Sequence, residues 1–90
     1  MMNKAKFNRV VEDGISRGKN FMVVKIATEG NPGSEIIVNP AENFSAKLSY
    51  YNKAYNDDME LIAAKNAGKS VQIVDVLMTS NLGDLNWFAW

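Results

Sequence analysis

Ninety residues without a cysteine must hold their fold by packing alone, because no disulfide is available to staple a small core. A chain of this length buries only about 60–65% of the surface that its unfolded form exposes, so modest stability is expected. It is expected to form one domain over residues 1–90. Apolar residues make up 47% of the chain and nine residues are aromatic, a composition that supports a globular core and argues against disorder.

Histidine is absent as well. No side chain therefore has an ordinary pKa near 7, and Ser-His, Cys-His and His-based zinc sites cannot be assembled within one chain. Carboxylates, lysines, tyrosines and backbone remain. The expectation is a protein that is not an enzyme and uses no cofactor and no metal. Uninterrupted apolar runs reach three or four residues, far below the roughly 20 of a membrane-spanning helix. Met1-Met2 leads into Asn3-Lys4-Ala5-Lys6, which has charge but no apolar core segment, so no signal peptide is expected. A cytoplasmic location is the default for such a chain.

Ten basic and ten acidic residues cancel, yet they are segregated. Residues 1–28 carry six basic residues (Lys4, Lys6, Arg9, Arg17, Lys19, Lys25) against Glu12 and Asp13, a local charge of +4. Residues 29–60 carry six acidic residues against Lys47 and Lys53, a local charge of −4. Two solvated surfaces that attract one another within the fold explain this arrangement without any partner.

The local signals give the element order helix, strand, strand, helix, strand, with a further short strand or an apolar tail at the end. Asn3 is placed to cap a first helix in which Phe7, Val10, Val11 and Ile15 share a face. Gly14 inside that helix costs about 1 kcal/mol relative to alanine, and Gly18 is placed to end it. Phe21 to Ile26 reads as a strand, Gly30-Asn31-Pro32-Gly33 as a turn, and Ser34 to Val38 as the return strand. Asn39-Pro40-Ala41-Glu42 carries an N-cap, a proline fit for the first helical turn and a capping-box acid. From Phe44, apolar residues recur at Leu48, Tyr51, Tyr55, Met59 and Ile62. At 100° per residue they span about 80° of arc, which predicts one long amphipathic helix ending near Ala67 and Gly68. Val71 to Thr79 reads as a third strand. A right-handed crossover can place it beside the first strand, in the order 2-1-3 with antiparallel neighbours. The fold class expected is thus α+β: a small two-layer domain, α-β-β-α-β(-β), with a mainly antiparallel sheet on a long amphipathic helix.

Strict alternation puts Met22, Val24 and Ile26 on one face of the first strand, and Phe21, Val23 and Lys25 on the other. In the third strand it opposes Val74, Val76 and Met78 to Val71, Ile73, Asp75 and Leu77. With both helices on one side, Phe21, Val23, Ile73 and Leu77 are left partly uncovered. Helices on opposite faces, a folded-back tail or a second chain would each cover them. A contiguous apolar patch above a few hundred Å² marks an interface.

The candidate sites follow from this surplus. Asp57, Asp58 and Glu60 are splayed around a helix and do not converge on an ion; Asp58, nearest the apolar stripe, is within reach of Lys65 or a tyrosine. Tyr51 and Tyr55 belong to the stripe, whereas Tyr50 points elsewhere and is the better binding residue. Asp75 in mid-strand is expected to face solvent. Trp87, Phe88 and Trp90 crowd the last four residues, and docking them on the core contributes about 1.5–3 kcal/mol each; left free, they would form a strong anchor for a partner.

The leading expectation is a small non-catalytic interaction module that binds a protein partner or itself, through Phe21, Val23, Tyr50, Ile73, Leu77, Trp87 and Trp90. The alternative is nucleic-acid binding by the basic first helix, through Lys4, Lys6, Arg9, Arg17 and Lys19, with affinity falling steeply in salt. In general character the chain looks like the many small proteins encoded by phages and other mobile elements, a likeness that rests on no motif and assigns no residue.

Overall fold

The computed structural model describes residues 2–89. Helix α1 (Lys4–Ser16) leads into strands β1 (Phe21–Thr28) and β2 (Ser34–Pro40). Helices α2 (Phe44–Ala54) and α3 (Ile62–Asn66), strand β3 (Val71–Thr79) and helix α4 (Leu85–Phe88) follow. The strands form one antiparallel sheet in the order β2-β1-β3, as the crossover argument anticipates. Asn3 caps α1 by accepting a hydrogen bond from the Lys6 amide at 2.8 Å. Gly18 ends it at φ 72°, a conformation that costs a residue with a β-carbon about 1 kcal/mol or more.

Both long helices pack on the same face of the sheet. Phe7 and Val11 of α1 and Phe44 and Tyr51 of α2 close over Met22, Val24 and Ile26. Simple alternation fails in β3. A bulge lies between the pairs Lys25↔Asp75 and Ile26↔Ile73, so Val74 has no partner and the phase of the strand inverts there. Ile73 and Val71 therefore join Val76 and Met78 on the helix side, and Ile73 is fully buried in the core.

The long helix is interrupted. Tyr55 already has extended backbone (φ −112°, ψ 144°), and α2 ends at Ala54. The cause is Asn56, whose Oδ1 accepts from the amides of Asp58 at 3.0 Å and Glu60 at 2.9 Å, competing with the helical ladder. Met59 takes φ 60°, and its carbonyl accepts from the Ile73 amide at 2.9 Å. Leu61 likewise donates to the Val71 carbonyl at 2.7 Å, stitching the turn to β3. Tyr55 and Met59 are buried as their spacing predicts, but through this turn and not along a helical face. Ile62, the next member of the stripe, is exposed.

Asn39 does not cap a helix. The strand β2 runs on through Pro40, and a single 3-10 turn over Ala41–Asn43 precedes α2. The Asn39 side chain is buried and donates to the Met22 carbonyl at 3.2 Å and the Tyr51 hydroxyl at 3.4 Å. It thereby joins β2, β1 and α2.

Candidate functional site

The face of the sheet opposite the helices carries Phe21, Val23 and Lys25 of β1. In register with them lie Pro40, Val38 and Ile36 of β2 and Thr79, Leu77 and Asp75 of β3. The C-terminal segment folds back over this face as a helical turn, neither a strand nor a free tail. Thr79 reverses the chain: its hydroxyl donates to Asp84 Oδ2 at 2.7 Å and accepts from the Asn81 amide at 3.0 Å. Asn81 Oδ1 in turn accepts from the Gly83 amide at 2.9 Å. Phe88 then docks under the Lys25 ammonium, which lies 5.0 Å from the ring centroid, and is only 3% exposed.

Trp87 is handled differently. It meets Phe88 edge-on, with centroids 6.0 Å apart and an interplanar angle of 86°, yet remains 61% exposed. The expected docking of the tail therefore holds for Phe88 and not for Trp87. Trp90, the other tryptophan singled out by the sequence, lies outside the described residues.

Of the other partner-binding candidates, Val23 and Ile73 are fully buried, Ile73 because the bulge turns it to the helix side and Val23 on the face that Phe88 caps. Neither is available to a partner. Phe21 and Leu77 are half-buried and retain some surface. Tyr50 is exposed on α2, edge-on to Tyr51 at 5.4 Å, with the Lys47 ammonium 5.7 Å from its ring centroid. Trp87, Phe21 and Leu77 belong to the C-terminal side of the sheet, and Tyr50 to the helix side. The structure does not bring all four together.

The basic candidates on α1 and in the segment that leaves it do not form a continuous patch. The Lys4 ammonium donates to the Asn52 carbonyl at 2.8 Å, and Arg17 pairs with Asp13 at 3.0 Å. Lys6 and Arg9 are exposed, and Lys19 lines an open cleft of about 550 Å³ with Ile15, Ala41, Phe44 and Leu48. Asp57 and Asp58 are exposed. Glu60 accepts from Lys65 at 2.8 Å and from Asn56 at 3.1 Å, contacts that hold its carboxyl below the usual range. Lys65 thus pairs with Glu60 and not with Asp58, and its ammonium is correspondingly raised by Glu60. Among the described residues no group of three or more carboxylates is placed to hold a metal ion. Asp75 is exposed as expected, its Oδ1 accepting from the Val76 amide at 2.8 Å.

Two features escaped sequence reasoning, an asparagine pair between the helices and the raised phenols of the stripe tyrosines. Asn8 and Asn52 exchange two side-chain hydrogen bonds of 2.8 Å between α1 and α2. Burial pushes the Tyr55 phenol up to about 12 and raises Tyr51, against the opposing hydrogen bond from Asn39. No local pattern announces such groups, since their partners lie far away in the chain.

Comparison with protein-family models, with curated proteins and with solved structures finds no match. Among the described residues no helix is long and apolar enough to cross a membrane.

Proposed function

We propose that this chain is a non-catalytic protein-binding module whose contact residue is Trp87. One observation carries the reading: an indole 61% exposed, held at the edge of a ring that is itself docked on the sheet. A small domain gains more by burying an indole than by displaying it. Tryptophan in such a setting is the residue type most enriched among interface hot spots. The Thr79–Asp84 clamp and the Lys25–Phe88 contact hold the short helix in place, so little conformational freedom is lost on binding. Half-buried Phe21 and Leu77 extend the apolar surface on that face.

The hydroxyl of Thr79 against the Asp84 carboxylate does not read as a catalytic pair. Thr79 is only 4% exposed and its oxygen is committed to the turn it closes. The nucleic-acid alternative finds less support, because two of the five cations are engaged within the fold and Asp13 interrupts the rest.

Affinity capture with the full chain and with Trp87→Ala tests the reading. A protein retained by the native chain and lost with Trp87→Ala, at unchanged melting temperature, is the expected result. Equal capture by both chains overturns it.

A further inference from the structure

The two edges of the sheet are treated in opposite ways. On β3 the outer edge is occupied over Val71–Ile73 by the turn, through Ile73 to Met59 and Leu61 to Val71, and through the bridge between Glu60 and Gln72. Beyond that, the bulge at Val74 and the Asp75 carboxylate disrupt any further pairing. Coverage, bulges and charge are the means by which proteins keep sheet edges from pairing with other chains. On β2 none of these is present along the strand's middle. The strand has seven residues, Ser-Glu-Ile-Ile-Val-Asn-Pro, paired with β1 without a shift of register. Among the described residues no further strand or bridge joins its outer side. Glu35 is its sole charge and Pro40 closes its end, so Ile36-Ile37-Val38 form an apolar centre with unpaired backbone groups.

We infer that β2 is a pairing edge for a second copy of this chain, joined antiparallel to form a six-stranded sheet. This deepens the interaction reading of the chain but uses a surface separate from Trp87. The sequence of the strand argues for a second copy over an unrelated peptide. A two-fold axis normal to the sheet brings like faces together and must pass through a residue position, because opposed side chains share a face. Centred on Ile37, it pairs all seven residues of each strand. Ile36 of one copy then meets Val38 of the other, and Ile37 meets its own counterpart. Glu35 falls opposite Asn39, so no like charges are opposed. Exposed Val38 gains cover on one face. On the other, exposed Tyr50 lies beside Tyr51, which Asn39 ties to β2, and so stands on the side of the helix layer nearest this edge.

Sedimentation equilibrium at micromolar concentration tests the pairing. The native chain is expected at twice its 10.0 kDa monomer mass. Val38→Lys is expected at the monomer mass with an unchanged far-ultraviolet spectrum, and Trp87→Ala at the dimer mass. Because the chain has no cysteine, a single introduced one reports the register. Opposed residues of antiparallel strands stand about 4.5–5.5 Å apart at Cα, within disulfide reach. Ile37→Cys is therefore expected to cross-link on mild oxidation. Glu35→Cys is not, since its counterpart is displaced four residues, about 13 Å, along the strand. A monomeric native chain, a dimer that survives Val38→Lys, or equal cross-linking at both positions overturns the inference. A dimer lost with Trp87→Ala and kept with Val38→Lys also overturns it and assigns self-association to the C-terminal helix. A monomeric native chain that still captures a protein through Trp87 overturns the pairing while leaving the proposed function standing.

Discussion

Gly14 lies so close to Met78 that a β-carbon added to it would stand 2.3 Å from the Met78 Cβ and 2.4 Å from its Cγ. Helix α1 therefore rests almost directly on strand β3, and the hydrogen at position 14 sets the spacing of the two layers. By helix propensity alone, alanine at this position is better by about 1 kcal/mol. Contact decides the other way.

Gly14→Ala is expected to lower stability by about 1–3 kcal/mol, since the Met78 Cβ is fixed to the strand and cannot swing aside. Urea denaturation measures it. A variant as stable as the native chain would show that α1 can lift off the sheet without loss.

Tyr55 makes the fold sensitive to alkali. Its phenol is pushed from an ordinary 10.0 to about 12 in the folded chain, chiefly by burial. The unfolded chain therefore loses its proton first. Stability from this group is intact below pH 10 and declines as pH rises from there through about 12. Tyr51 is raised in the same direction and adds to the decline. Melting temperatures across this range should fall for the native chain and fall less for Tyr55→Phe. Identical slopes would mean that the phenol is solvated in the folded state.

The paired amides of Asn8 and Asn52 bind α1 to α2, and Asn52 also donates to the Leu48 carbonyl at 2.8 Å. Truncating either leaves the other partner unsatisfied in a half-buried position, at a cost of about 1–3 kcal/mol. A double-mutant cycle with Asn8→Ala and Asn52→Ala should show a coupling of about 0.5–1.5 kcal/mol. Strict additivity would mean that water replaces the pair freely.

Adjacent aromatic residues at the C-terminus should behave oppositely in stability measurements. Phe88→Ala removes a ring that is 3% exposed and is expected to cost about 3–5 kcal/mol. Trp87→Ala removes one that is 61% exposed and should cost under about 1 kcal/mol. Calorimetry of the two variants checks this, and equal losses would place Trp87 in the core.

Much of the fold was legible in local signals. The Asn3 cap, the hairpin through Gly30-Asn31-Pro32-Gly33 and the third strand depend on neighbours within a few residues, and the antiparallel order β2-β1-β3 follows from connection rules. The candidate site was only partly legible. Exposure of Tyr50 and the apolar load of the C-terminal segment could be read, whereas the burial of Val23 and the separate fates of Trp87 and Phe88 could not.

By itself the sequence determined which residues are apolar and at what spacing, and hence most of what is buried. Tertiary structure decided by what route they are buried. Tyr55 and Met59 reach the core whether the chain is helical or turned, because a spacing of four residues records a side and not a conformation. The choice fell to the Asn56 side chain and to pairing with β3, through Met59 with Ile73 and Leu61 with Val71, residues well downstream in the chain. The bulge at Val74 likewise reversed the face of Ile73, because the register of a strand is set by its neighbour and cannot be read from its own alternation.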